Sequence, residues 1–350
     1  MSVTRAADRG PSQQSKAQQR DQADNGQADA PFRGKSVLVT GGSRGLGLLI
    51  AGQFADQGAR LVICARDEYE LRRAAERLRC RGAEVHTLVC DLADPGTPEK
   101  LVELARKYYG GIDVLVNNAG VIEVGPVESM TEQDFRTAME IMFFAPLRLV
   151  LAVLPQMRER RSGTIVDVTS VGGRIAAPHL VPYAAAKFAA TGLSEGLRAE
   201  LADDGVSVTT VVPGLMRTGS HGAARYSGKA DQEYAWFAAA ASLPLVSMDA
   251  ERAARTIVRA AGRGRPEVVL SFAAKAAVRA HGLAPATTVR LLTLADRLLP
   301  DADGETARDI PGVEAARRLG GRAMSLITTL GDRAARRNNE PVQPSARRWP

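Results

Sequence analysis

Cysteine is scarce. The chain has three in 350 residues, Cys64, Cys80 and Cys90. They are too few and too scattered for a disulfide framework, and no CxxC or His/Cys cluster suggests zinc. The four histidines, His86, His179, His221 and His281, are too dispersed for a metal site, so no metal is expected. A reduced, intracellular and specifically cytoplasmic setting is the expectation. No stretch reaches 18 consecutive apolar residues, which argues against a membrane-spanning helix. The N-terminus lacks the apolar centre of a signal peptide. Charge of one sign is not concentrated either. The net +7 is spread out, and residues 1–31 carry four basic and four acidic side chains. No basic block is long or aromatic-interleaved enough to argue for nucleic acid.

What is present is a core-forming composition, 45% hydrophobic and 24% charged, as in soluble globular proteins. Residues 1–31 hold almost no large apolar side chain and cannot offset chain entropy, so they read as a disordered tail. From Phe32 a regular alternation begins. β-Branched runs are expected at Ser36–Thr40, Arg60–Ala65, Glu84–Cys90, Ile112–Asn117, Thr164–Thr169, Val206–Val212 and Glu267–Leu270. Helical periodicity fills the gaps at Gly45–Gln57, Glu68–Cys80, Pro98–Tyr109, Glu132–Arg160, Pro182–Ala202 and Asp249–Gly262. Alternating strands and helices predict an α/β fold, a doubly wound parallel sheet of seven strands in one domain over 32–265. Residues 266–335 read as a C-terminal helical appendage, and 336–350 as a polar tail.

The first expected strand runs into Thr40-Gly41-Gly42-Ser43-Arg44-Gly45-Leu46-Gly47 and then an apolar helix. Glycines there let the backbone approach a pyrophosphate, and the helix N-terminus offers free N–H groups. The second strand ends Ala65-Arg66, with alanine where an acidic residue would bond a ribose 2′-hydroxyl. Arg44 and Arg66 could both reach a 2′-phosphate, which argues for NADP over NAD. In the competing reading both arginines are solvated and Asp67 caps the next helix. Asp91-Leu92 and Asn117-Asn118-Ala119-Gly120 fall at the C-terminal ends of the third and fourth strands, where such sheets bind ligands. Thr169-Ser170 ends the fifth. Tyr183 and Lys187 then sit one turn apart on a single helix face. An ammonium near a phenol lowers its pKa, allowing acid–base work near neutrality.

Together these residues strongly resemble the classical short-chain dehydrogenase/reductase family: TGxxxGxG at Thr40–Gly47, Asp91, Asn117–Gly120, Ser170, YxxxK at Tyr183/Lys187, and Pro213-Gly214 with Thr218, in register over about 34–265. The resemblance implies a Rossmann-type fold and hydride transfer between a nicotinamide cofactor, NADPH, and an alcohol/carbonyl substrate, with reduction of a partly apolar ketone or aldehyde expected. By the family pattern Tyr183 handles the proton, Lys187 lowers its pKa and bonds the nicotinamide ribose, and Ser170 positions the substrate oxygen. Thr40, Gly41, Ser43, Arg44, Gly45, Leu46, Gly47, Arg66, Asp91, Leu92, Asn117, Ala119, Gly120, Pro213, Gly214 and Thr218 would contact the cofactor. A homodimer or homotetramer through the helices at Glu132–Arg160 and Pro182–Ala202 is also implied. One position departs: Met142 stands where the family has an asparagine that supports the proton relay. An NADP-binding regulatory or scaffold protein without turnover, and a lyase or epimerase, are the competing functions.

Several residues have both functional and packing readings. His179 and His221 could touch substrate, whereas His86 and Cys90 read as packed. Tyr226, Tyr234, Trp236 and Phe237 either cover a substrate or form an ordinary packed helix. In the appendage, Val268, Val269, Leu270, Phe272, Val278, Leu283, Leu291, Leu292, Leu294, Leu298 and Leu299 are interspersed with Lys275, Arg279, Arg290 and Arg297. That pattern suits peripheral membrane contact, or packing on the core or on another subunit.

Overall fold

The computed structural model describes residues 30–243, 247–301, 307–319 and 322–340. The tail assigned to 1–31 lies, up to residue 29, outside the described residues, as does 341–350. The first strands and helices alternate as β1 (Ser36–Thr40), α1 (Gly45–Ala55), β2 (Arg60–Ala65), α2 (Glu68–Arg79), β3 (Val85–Val89), α3 (Thr97–Tyr109) and β4 (Val114–Asn117). After a short strand β5 (Glu123–Val124) comes one long helix, α4 (Glu132–Glu159), with a π-turn at Glu140–Phe144. Then follow β6 (Gly163–Val168), α5 (Val181–Glu200), β7 (Val206–Val212), β8 (Met216–Arg217), β9 (Arg225–Gly228), α6 (Ala230–Ser242; Ser220–Ala223 is a single turn), β10 (Met248–Asp249), α7 (Ala250–Gly262) and β11 (Glu267–Val269).

Seven strands form one parallel sheet in the order β11-β7-β6-β4-β1-β2-β3. Successive side chains of a strand point to opposite faces. Val37 and Val39 therefore join one buried layer with Leu61, Ile63, Val114 and Val116, while Leu38 joins Val62, Leu115 and Ile165 in the other. Both layers are covered by helices, which explains why the strands read as unbroken apolar runs. Helix α1 is apolar on nearly every side because it is buried between the sheet and the alanine-rich face of α7. Gly110, at φ +79°, closes α3 in the left-handed conformation that glycine adopts without strain. Helix α4 is long and apolar enough to cross a membrane by length and composition alone. Its Leu149, Val150, Val153 and Met157 are instead packed in the second layer of the core.

The C-terminal part is more than a helical appendage. Helices α8 (Phe272–Leu283) and α9 (Pro285–Asp296) form a hairpin. Then β12 (Ala307–Pro311) pairs antiparallel with β9, which also pairs with β5, making a separate three-stranded sheet. Helix α10 (Gly312–Leu319) packs on α6, and α11 (Arg322–Arg337) runs back across α6 and β8. The polar tail assigned from residue 336 is corrected in its first part: Asn338, Asn339 and Glu340 are buried against the glycine loop. Charge and amide density suggested solvation, but these groups find partners across the fold.

Candidate active site

The residues singled out on sequence gather at the C-terminal edge of the sheet. The loop Thr40–Gly47 joins β1 to α1, Arg66 follows β2, Asp91 and Leu92 follow β3, and Asn117–Gly120 closes β4. Ser170 follows β6, and Pro213, Gly214 and Thr218 follow β7. Thr40 ties two of these loops together. Its hydroxyl accepts from the backbone N–H groups of Asn118 at 2.9 Å and Ala119 at 3.1 Å, and the Asn118 amide donates to Thr40 O at 3.0 Å. The glycine loop turns through positive φ at Gly41 (+63°) and Gly45 (+55°). A Cβ at Gly47 would lie 2.2 Å from Gly41 O, so glycine is required for the loop to fold onto its helix.

Around this loop the arginines are not free. Arg44 pairs with Glu70 at 3.1 Å and Glu340 at 3.3 Å. Glu70 also accepts a hydrogen bond from Ser43 at 3.4 Å. Asp67 caps α2 by accepting from Glu70 N at 2.8 Å, the role given it in the competing reading. Arg66 is exposed at the strand end. Asp91 accepts from Ala93 N and is turned into its own loop.

On the other side of the crevice, Ser170 Oγ accepts from Gly172 N at 3.0 Å, and Ser170 Oγ and the Tyr183 ring lie 3.4 and 3.1 Å from the point where a Gly172 Cβ would stand. Lys187 Nζ lies 5.9 Å from the centre of the Tyr183 ring and donates to Val168 O at 2.8 Å. Burial pushes the Tyr183 phenol above its ordinary pKa, with Ser170 opposing. Burial likewise lowers Lys187 to about 8, with Asp167 opposing. The expected depression of the phenol is therefore not seen here, because burial outweighs the opposing influence on Tyr183. Sequence reasoning missed Asp167, a carboxylate inside the buried run Ile165–Val168. Asn117 donates to it at 2.8 Å. A charged residue in an otherwise apolar central strand was the available signal.

The family model described as short chain dehydrogenase matches residues 35–227. The chain belongs to that family. It is 37% identical over 189 residues to "Dehydrogenase/reductase SDR family member 4" of Rattus norvegicus, covering 54% of this chain and 68% of the relative. It is 38% identical over 185 residues to the "Granaticin polyketide synthase putative ketoacyl reductase 1" of Streptomyces violaceoruber, covering 52% and 68%. Among solved structures, a short-chain dehydrogenase from Streptomyces avermitilis superposes with a TM-score of 0.65 at 31% identity, covering 75% of this chain and 97% of that one. The L-sorbose reductase from Gluconobacter frateurii, complexed with NADPH and L-sorbose, gives 0.62 at 26% identity, covering 69% and 96%.

As a short-chain dehydrogenase, the protein is an oxidoreductase acting on CH–OH and carbonyl groups, and its family binds a nicotinamide cofactor. The glycine loop fits such a dinucleotide, since side chains at Gly42 and Gly47 would collide with Ile63 and Gly41 O and prevent the tight backbone turn at the head of α1. Met142 falls inside the π-turn of α4 and is buried. π-Turns of this kind frequently mark functional positions. Its sulfur and Lys187 Nζ lie 3.4 and 3.8 Å from the point where a Gly120 Cβ would stand, so methionine closes over the lysine.

The remaining candidates are mostly packed. His179 is buried, at φ +59°, with Nδ1 2.8 Å from the fully buried Glu233 and Nε2 3.6 Å from Asp296. Glu233 also accepts from Trp236 Nε1 at 2.7 Å. His179 thus pins its loop to α6 and the helical hairpin. His221 lies under α11, where a Cβ at Gly331 would stand 2.8 Å from its ring. His86 stacks on Tyr108 at 3.7 Å. Cys90 packs into the second layer with Cys64 buried beside it. Tyr226, Tyr234 and Phe237 form a core with Trp236 at its border, the packed-helix alternative. Residues 244–246 of that aromatic and aliphatic segment lie outside the described residues.

Proposed function

We propose that this dehydrogenase is an NADPH-dependent reductase of a ketone or aldehyde. The observation that carries the reading is the convergence of Ser170, Tyr183 and Lys187 beside the glycine loop, at one edge of the sheet. Bound nicotinamide supplies the hydride. Ser170 then holds the carbonyl oxygen through its hydroxyl, and Tyr183 donates a proton to that oxygen. Lys187 would bond the nicotinamide ribose and, as ammonium, stabilise the phenolate that Tyr183 becomes on donating its proton, which a proton from solvent then restores to the phenol. Gly41, Ser43, Leu46 and Gly47 would hold the pyrophosphate, Asp91 and Leu92 the adenine, and Pro213, Gly214 and Thr218 the nicotinamide end. The lack of an acid at Ala65, together with Arg66 and Arg44, supports the phosphorylated cofactor. Arg44 must exchange one of its carboxylate partners to serve it. Val121 and Met139 pack with Tyr183 against Met142, an apolar wall that supports a partly apolar substrate.

The test is NADPH oxidation against steroidal, fatty, aromatic and sugar carbonyls, beside an NADH control and Tyr183→Phe. Tyr183→Phe is expected to retain NADPH binding and lose about 10²–10⁴-fold in kcat. Retained turnover would overturn the assignment of Tyr183. Product without net NADPH consumption would indicate an epimerase or lyase, and binding without turnover across the panel a regulatory protein.

We also propose that the enzyme is a cytoplasmic homodimer or homotetramer that touches anionic membrane surfaces. The three free thiols support the compartment. Exposed Leu151 on α4 and Phe188 on α5 support the subunit contact. For the membrane, no residue of α9 is buried, while Phe272, Leu283 and Leu298 are 87, 88 and 87% exposed. Lys275, Arg279, Arg290 and Arg297 stand on the same hairpin, an arrangement suited to an acidic lipid interface. Flotation with vesicles containing phosphatidylglycerol should carry the protein upward, and Leu291→Asp with Leu294→Asp should abolish it. Protein left at the bottom would end the idea, and loss of oligomer mass in the double variant would make the hairpin a subunit contact instead.

A further inference from the structure

The last described residues occupy the mouth of the glycine loop. Asn338 O accepts from Gly45 N–H at 2.8 Å, the amide that opens helix α1. The Asn339 side-chain amide donates to Ser43 O at 2.8 Å and Glu70 O at 3.1 Å. Glu340 pairs with Arg44 at 3.3 Å, and a Cβ at Gly45 would come within 2.6 Å of its Oε1. At the other end of the crevice, the Asn338 amide reaches Thr218 O at 3.5 Å. Gly219, at φ +97°, is pressed so closely that a Cβ would lie 2.4 Å from Ala335 Cβ. All three terminal side chains are buried. One short segment thus spans the crevice from its phosphate end to its nicotinamide end.

We propose that residues 335–340 form an autoinhibitory strap that competes with the dinucleotide, Glu340 taking the anion's place beside Arg44. The inference rests on the cofactor reading of the glycine loop. The Gly45 amide cannot serve both Asn338 O and a phosphate oxygen. Arg44 likewise cannot hold Glu70, Glu340 and a 2′-phosphate in one plane. Cofactor and strap are therefore mutually exclusive at two groups, and binding requires the strap to lift. A strap closed nine-tenths of the time weakens apparent affinity about tenfold. Because Arg44 belongs to the 2′-phosphate side of the site, release of Glu340 should favour NADPH more than NADH.

The experiment measures NADPH and NADH dissociation constants by fluorescence titration of the full chain, of Glu340→Gln and of a chain ending at Arg337. Hydrogen exchange at 335–340 is followed with and without NADPH. The shortened chain should bind NADPH about tenfold more tightly. Glu340→Gln should bind NADPH more tightly than the parent, with a smaller change for NADH. Saturating NADPH should speed exchange across 335–340. Unchanged or weaker binding in Glu340→Gln, or a strap that stays protected under saturating NADPH, would overturn the proposal while leaving the cofactor reading intact. Failure of every chain to bind either dinucleotide would overturn both. If the shortened chain does not fold, Glu340→Gln and the exchange data decide alone.

Discussion

The layers around the sheet and the hairpin α8–α9 treat the same kind of residue in opposite ways. In the sheet domain, Val, Ile and Leu are buried on both faces, and α7 presents Ala253, Ile257 and Val258 to α1. In the hairpin, leucines of similar spacing are left in solvent, and only Ala274 is buried. Apolar periodicity therefore identifies a face that can be buried, while the neighbours decide whether it is. The segment after the hairpin is a third case. It is strongly polar, yet its end is buried because arginine, amide and main-chain groups of the glycine loop meet it.

The sharpest way to break this comparison is to truncate one side chain on each side of it. Phe237 is packed against Tyr226 and Trp236, at ring-centre distances of 6.2 and 5.7 Å. Phe237→Ala should cost about 3–5 kcal/mol, read by urea denaturation. A loss below about 1 kcal/mol would show that β9, α6 and α10 do not form a true core. Next in size is Met142→Asn. It places an amide in an apolar, buried position beside Lys187, and burial without a full set of partners costs about 1–3 kcal/mol. Turnover should stay the same or rise, because an asparagine can hold a water where a thioether cannot. Collapse of turnover in the folded variant would make Met142 a required part of this site.

Most of the sheet was legible because its signals are local. Ser36–Thr40, Arg60–Ala65 and Val206–Val212 occupy the expected residues, and the helix starts at Glu68 and Glu132 coincide with expectation. The glycine loop, Ser170, Tyr183 and Lys187 also sit where strand ends and helix faces should place them. Three features were not legible, each for a physical reason. Short strands β5, β9 and β12 have two to five residues and exist only as partners of one another. Asp167 is tolerated in a central strand because Asn117 donates to it and the Lys187 charge favours its ionised form. Asn339 acts on Ser43 across nearly the whole chain, and no local pattern encodes a contact of that separation.

Acidity offers a finer comparison, between Lys187 and the buried carboxylate of Asp167. Lys187 is held at about 8 by burial, with Asp167 pulling the other way. A group whose folded pKa is lowered loses its proton as pH rises through that value. If the ammonium is the working form, kcat/KM for reduction should fall as pH rises above about 8. Removing the opposing carboxylate with Asp167→Asn should move that fall to lower pH. A profile flat from pH 7 to 10, or an unmoved limb in folded Asp167→Asn, would show that Lys187 does not titrate in the rate-determining step.

The smallest expected effect is the most informative about the hairpin. Leu298 is almost fully exposed, so Leu298→Ala removes little buried surface. Substitutions at such positions usually change stability by no more than about 0.5 kcal/mol. The midpoint of urea unfolding of the soluble protein should therefore be unmoved, in contrast to Phe237→Ala. In the presence of anionic vesicles the two should differ again. There Leu298→Ala should weaken association, because each exposed leucine transferred out of water contributes about 1.5–3 kcal/mol. A destabilisation above about 1 kcal/mol without vesicles would mean that Leu298 is covered in solution by another copy of the chain, and that the apolar face is already in use.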